Sequence, residues 1–366
     1  MPSTTHPLGA QPVSRDEYAV EEVNMVKKRI AFCGGGTAGH VMPNLNLIKK
    51  LNAEYDCVYI GGDGMEKELC ASRGIGFYRI DTVKLRRDAF VKNLGIPIKL
   101  IKCVKSARRV LDEIRPDLIF SKGGYAALPV VLAAKRTPLI AHESDLSPGI
   151  VTKISKRKAK IITAFEDTSK TLGGTYVGAA LDPALYGAAK KPLGFTSSKP
   201  VLLVMGGSLG AATVNETVAA AFPKLTRLFN VVHVTGKNKG VGIASPDYKE
   251  MEFCTDMPSL YAACDIAVTR GGAGSLAELV AMGIPAVCIP LEKASRGDQI
   301  ENAEYYSKRG ALKVLREREL NADTLVTAVV DLYNGRAKYA AAMKDLDVDG
   351  TDRICKIIRE TVESGA

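Results

Sequence analysis

Two apolar runs, at residues 28–33 and 201–205, each break into a cluster of glycines and then into a helical pattern. In the first, Gly34-Gly35-Gly36-Thr37-Ala38-Gly39-His40 precedes Leu45, Ile48 and Leu51, which recur at helical spacing. In the second, Gly206-Gly207-Ser208-Leu209-Gly210 precedes a helix expected over 211–221. A strand that ends in glycines and turns directly into a helix opens a parallel, doubly wound sheet. A chain that does this twice is constrained to two such sheets. Strands expected at 57–60, 118–121, 139–142, 160–164 and 175–177 continue the first, and strands at 231–235, 265–270 and 286–290 continue the second. Residues 181–200 are rich in Ala, Pro, Gly and Lys without periodicity and read as a linker. The expected organisation is α/β, with two Rossmann-like domains at 28–180 and 201–337 facing a cleft. The helical stretch within 338–366 is free to pack on either domain, the N-terminal one included. Residues 1–27 carry Pro, Ser, Thr and acids but no apolar h-region, so they read as a weakly ordered tail rather than a signal peptide.

Composition narrows the function classes. No apolar run approaches the roughly 18 residues of a membrane-spanning helix. The eight cysteines include no C-x-x-C pair, which argues against a zinc site or a disulfide scaffold and for reduced thiols in a cytosolic protein. The net charge is +10, and it is local. Between Lys84 and Lys160 there are 18 basic and 6 acidic residues, a surplus larger than that of the whole chain. An anionic partner is implied. Nucleic acid fits poorly, because the basic segment lacks interleaved aromatics and contains no known nucleic-acid module.

The glycine loops carry the chemistry. Gly34-x-Gly36-x-x-Gly39 matches a dinucleotide fingerprint, but the next strand ends in Gly61-Gly62 rather than in the acid that would hold a ribose. What remains is a loop whose amides can approach an anionic ligand at a helix N-terminus, with His40 at its mouth. The loop at 206–210 offers the same from the second domain, with Ser208 adding a hydroxyl; a plain turn is the alternative. A third loop, Arg270-Gly271-Gly272-Ala273-Gly274-Ser275-Leu276-Ala277-Glu278, puts a carboxylate inside an otherwise apolar helix. Buried without partners, Glu278 would cost several kcal/mol. A ribose diol, or simply solvent at the positive helix end, would satisfy it. The run Asp298-Gln299-Ile300-Glu301-Asn302 opens a further helix with groups suited to sugar hydroxyls.

In order and spacing, GGGTAGHVMPNL (34–45), KGGYAALP (122–129), HESDLSPG (142–149), GGSLGAATVN (206–215), TRGGAGSLAELVAMGIPAVCIP (269–290) and RGDQIENA (296–303) together resemble the MurG family of glycosyltransferases. That family adds N-acetylglucosamine from UDP-N-acetylglucosamine to lipid I in peptidoglycan synthesis. The resemblance implies a GT-B fold and an inverting transfer to the C4 hydroxyl of N-acetylmuramic acid, without a cofactor or a protein-bound metal. It implies donor contacts from Thr37, Ala38, Gly39, Asp145, Ser208, Cys254, Ala273, Gly274, Ser275, Leu276, Glu278, Asp298 and Gln299. Gly123, Gly124 and Tyr125 would meet the acceptor. His40 is the first candidate for general base and Glu143 the second. A related transferase acting on diacylglycerol or a polysaccharide is the nearest rival, and a sugar-nucleotide-binding regulator without turnover is another.

Three positions depart from the family: Asp145 where it usually has Asn, Leu209 where many members have Gln, and Asp182 near a usual Arg. Lys190 or Lys191 is a candidate to replace that lost cation. The basic segment suggests peripheral docking on an anionic membrane, on its cytoplasmic face, through Lys84, Arg86, Arg87, Phe90 and Lys92.

Overall fold

The computed structural model describes residues 27–83, 96–207, 210–293 and 296–365. Lys84, Arg86, Arg87, Phe90 and Lys92, expected at a membrane, lie outside these residues, as do Ser208 and Leu209 of the second glycine loop.

Strands β1 (Arg29–Cys33), β2 (Asp56–Gly61), β3 (Gly76–Arg79), β4 (Leu118–Ser121), β5 (Leu139–Glu143), β6 (Lys160–Thr163) and β7 (Thr175–Tyr176) form one sheet. Its order is β3-β2-β1-β4-β5-β6-β7, and every pair is parallel. A second parallel sheet contains β8 (Val201–Met205), β9 (Asn230–Val234), β10 (Tyr248–Met251), β11 (Ile266–Thr269), β12 (Ala286–Cys288) and β13 (Lys313–Val314). Its order, β10-β9-β8-β11-β12-β13, repeats the winding of the first. Central strands of such sheets are covered on both faces, which is why β1 after Arg29 and all of β8 are apolar, with four of five residues buried in each. The structure adds three strands that the sequence pattern left out: β3, β10 and β13, all at sheet edges.

Helices α1 (Ala38–Leu51), α2 (Met65–Ala71), α3 (Ile96–Ile114), α4 (Ala127–Ala133), α5 (Ile150–Ser155) and α6 (Glu166–Leu172) belong to the first sheet. With the second go α7 (Ala212–Leu228), α8 (Met257–Ala263), α9 (Ala273–Ala281), α10 (Asp298–Lys308), α11 (Ala322–Asn334) and α12 (Arg336–Lys344). The last, α13 (Thr351–Ser364), returns to the first sheet. Its Ile354, Cys355, Ile358 and Val362 form one apolar stripe that shares a core with Ile30, Phe32, Val41 and Leu45. Met343 of α12 instead packs with Leu276 and Val280 of the second domain. The single helical stretch expected near the C-terminus is thus two helices that serve different domains. Between them the chain runs beside the other interdomain connection: Ala179 N donates to Val348 O at 2.8 Å and Gly350 N to Ala179 O at 2.7 Å. A Cβ at Gly350 would lie 2.1 Å from Val177 O, so only glycine permits this approach.

In each sheet the strand order reverses beside the first strand, between β1 and β4 and between β8 and β11. Ligands of open α/β sheets bind outside the carboxyl ends of the strands at such a point. All the glycine loops singled out above lie there.

Candidate active site

On the first domain, two loops interlock. Gly36 has φ +93°, and a Cβ on it would sit 2.4 Å from the Tyr125 ring. Gly124 has φ +76°, and its Cβ would sit 2.4 Å from Gly35 O and 3.1 Å from His40 Nδ1. The loop after β4 therefore lies flat against the loop after β1, with His40 at the seam. Thr37, in extended conformation before α1, meets His40 Nδ1 through its Oγ1 at 3.0 Å. Burial and then the nearby Lys122 ammonium lower the His40 pKa to about 4, with Arg296 adding to them and Glu143 and Asp298 opposing. At neutral pH the imidazole is uncharged and able to take a proton. The charges of Arg296 and Asp298 belong to the second domain, so His40 senses both sides of the cleft.

Lys122 was not singled out from the sequence, yet it is a buried cation at the end of β4. Its Nζ donates to Ser144 Oγ and lies 3.5 Å from His142 O. Burial brings its pKa down to about 8 against the pull of Glu143 and Asp145.

Glu143, the second choice for general base, is occupied in another way. Oε1 accepts from Asp145 N at 3.1 Å, and Oε2 accepts from Gly149 N at 2.8 Å and Thr152 Oγ1 at 2.6 Å. With three protein donors on a buried carboxylate, it fixes the loop at 144–149 and the start of α5 rather than facing a substrate hydroxyl.

That loop reaches the second domain. Asn302 Nδ2 donates to Asp145 Oδ1 at 3.0 Å and to Gly271 O at 3.3 Å, while its Oδ1 accepts from Leu146 N at 2.9 Å. Arg296 pairs with Asp145 at 3.4 Å and with Asp298 at 3.7 Å. Asn302, expected among groups offered to a sugar, is wholly buried and used up by this interdomain clamp. Burial, helped by Glu143, raises the Asp145 pKa to about 6.

On the second domain, Gln299 Oε1 accepts from Gly271 N at 3.2 Å and Leu291 N at 3.0 Å, which leaves its amide nitrogen to offer a ligand. Ala273, Gly274, Ser275 and Leu276 form the first turn of α9. Glu278 lies farther along that helix, and desolvation raises its pKa to about 7. It is thus no ordinary solvated acid. The Tyr261 hydroxyl donates to Glu278 Oε2 at 2.9 Å. Cys254 lines the adjoining core beside Phe253, whose side chain is exposed. Asp182 is neutralised by Lys49 at 3.0 Å, not by Lys190 or Lys191; Lys191 pairs with Asp256. The signal for Lys49 was absent from the sequence because the pair joins α1 to a turn far along the chain.

Comparison with known proteins agrees with this architecture. Residues 30–163 match the glycosyltransferase family 28 N-terminal domain, and residues 201–356 match its C-terminal domain. A curated relative from Lachnospira eligens is 41% identical over 91% of this chain and 99% of its own. Another, from Bacillus cereus, is 38% identical over 92% of this chain and all of its own. Both are named as UDP-N-acetylglucosamine–N-acetylmuramyl-(pentapeptide) pyrophosphoryl-undecaprenol N-acetylglucosamine transferases. The crystal structure of Acinetobacter baumannii MurG superposes with a TM-score of 0.71 at 26% identity, covering 91% of this chain and 99% of that one. The calicheamicin glycosyltransferase CalG4 shares the fold, with a TM-score of 0.68 at 18% identity over 93% of this chain and 100% of its own. On this similarity along nearly its whole length, with the twin doubly wound sheets of the GT-B fold, the chain belongs to glycosyltransferase family 28, in its MurG branch.

Proposed function

We propose that the protein transfers N-acetylglucosamine from UDP-N-acetylglucosamine, with inversion, to the C4 hydroxyl of the N-acetylmuramoyl unit of lipid I, giving lipid II. The observation that carries this reading is the placement of His40 at the seam of two glycine loops, within electrostatic reach of the opposite domain. The acceptor oxygen attacks the anomeric carbon as the bond from that carbon to the UDP oxygen breaks, and UDP leaves with the electron pair. His40 takes the hydroxyl proton. In the tautomer that carries the proton on Nδ1, Thr37 Oγ1 accepts from it and Nε2 is the base. A pKa near 4 makes a weak base, and the negative pyrophosphate of a bound donor raises it toward neutrality. Base strength then develops only once the donor is present. Amides of Gly206 and Gly207 and of the start of α7 suit the charge that grows on the departing pyrophosphate.

In the same reading Glu278 accepts from the ribose hydroxyls, the Gln299 amide nitrogen and Asp298 meet the N-acetylglucosamine, and Thr37, Ala38 and Gly39 close the donor site. Ser208, Asp145, Cys254, Ala273, Gly274, Ser275 and Leu276 border the nucleotide. Gly123, Gly124 and Tyr125 receive the acceptor, and Glu143 acts as a positioning residue. Purified protein supplied with UDP-N-acetylglucosamine and either a lipid I analogue or diacylglycerol tests this. UDP release with the lipid I analogue is expected, and transfer to diacylglycerol alone would refute the assignment.

A peripheral position on the cytoplasmic face of the bacterial cell membrane fits a polyprenyl-linked acceptor. It is supported by Ile98 and Ile101 on α3 and Ile150 and Ile154 on α5, all exposed, with Lys99, Lys102, Lys105, Lys153, Lys156 and Arg157 among them. No helix of the described residues is long and apolar enough to cross a membrane.

A further inference from the structure

The two oxygens of Glu278 are not equivalent. Oε2 accepts from the Tyr261 hydroxyl at 2.9 Å, whereas Oε1 meets no donor among the described residues. Tyr261 is 2% exposed and sits on α8, whose first turn is fixed by Asp256 accepting from Ser259 N at 3.2 Å. The ring packs in a core with Leu260, Ala277 and Leu279, and its hydroxyl lies 3.6 Å from Met205 Sδ. Nothing in that core requires a hydroxyl. Its one strong acceptor is the carboxylate that the proposed function gives to the ribose.

We propose that Tyr261 is the positioning residue for the ribose-binding carboxylate, its hydroxyl holding Glu278 in the orientation and ionised state that a vicinal diol needs. This rests on the reading that Glu278 takes the ribose. A carboxylate can accept from both adjacent hydroxyls while it also accepts from Tyr261, but a protonated carboxyl turns one acceptor into a donor. Burial pushes the Glu278 pKa up to about 7, and the Tyr261 hydrogen bond is the contribution that opposes this. Burial also pushes the Tyr261 phenol well above its ordinary value, so it stays a donor at every working pH.

The test is Tyr261→Phe in the full chain, with donor KM and kcat measured from about pH 6 to about pH 9, and UDP binding followed separately by calorimetry. Loss of a hydrogen bond to a charged group is expected to raise donor KM and weaken UDP binding about tenfold at neutral pH, with kcat little changed. The defect is expected to fade at the alkaline end, because the carboxyl then ionises without help. In a Glu278→Gln background that pH dependence is expected to vanish. A Tyr261→Phe KM profile that overlays the parent's, or a fall in melting temperature with unchanged UDP binding, would overturn the proposal and leave Tyr261 a core residue. If Glu278→Gln alone leaves donor KM and UDP binding untouched, the ribose assignment itself fails, and the role of Tyr261 with it.

Discussion

At the scale of single residues, the protonation of His40 depends on the charges around it: Lys122, Glu143, Arg296 and Asp298. Burial and Lys122 together hold the imidazole neutral, so Lys122 is a lever on the base. Replacing it by Met removes a cation that disfavours imidazolium, and the His40 pKa is expected to rise. The acid limb of the pH profile of kcat/KM should then move to higher pH; an unmoved limb would separate Lys122 from the base. His40 and Glu278 were legible in the sequence because each breaks a local rule, a histidine at the mouth of a glycine loop and an acid in an apolar helix. Lys122 and Tyr261 were not, nor was the interdomain role of Asn302, because each acts through a partner distant in the chain: Ser144, Glu278 and Asp145. The hold on Glu143 is hidden in the sequence for a related reason. Its donors, Gly149 N and Thr152 Oγ1, become neighbours only once the loop folds back on it.

Among the elements, those with a buried apolar face could be read and those without one could not. β1, β4 and β8 are continuous apolar runs, and glycines mark where they stop. β3 is Gly-Phe-Tyr-Arg with no buried residue, and β13 is a Lys-Val pair that is only partly covered. An edge strand needs little burial, so its pattern is faint. The break between α12 and α13 was equally hidden, because there the chain pairs with Ala179, a partner distant in sequence. The exposed isoleucines of α3 and α5 carry a prediction at this scale. Each is worth about 1.5–3 kcal/mol when buried in an apolar medium. Converting Ile98, Ile101 and Ile150 to Glu is expected to reduce sedimentation with anionic liposomes at least tenfold while leaving turnover on a soluble acceptor analogue intact. Unchanged liposome binding would show that this face does not dock on a membrane.

For the molecule as a whole, what matters is how the two domains meet. Asp145 is the carboxylate at that contact, held by Asn302 and Arg296. Its pKa is raised to about 6 by burial and by Glu143. A raised acid favours the folded state while it is protonated, and that contribution is lost as pH rises from about 4 through about 6. Asp145→Asn keeps an acceptor for Asn302 and removes the charge. It is expected to gain about 1–2 kcal/mol of stability over the parent at pH 7 to 8, with the gap closing near pH 4. Unfolding in denaturant across that pH range checks this, and a gap independent of pH would contradict it. The twin-sheet fold was legible from two glycine loops, but this contact was not, since neither domain's sequence describes the surface of the other. In the proposed transfer His40, at the meeting of the two domains, removes the acceptor proton. Steady-state kinetics of His40→Ala with UDP-N-acetylglucosamine and a lipid I analogue test it most directly. A fall in kcat of about 10²–10⁴ with donor affinity preserved is the expected result, and near-parental kcat at saturating substrates would show that the proton goes elsewhere.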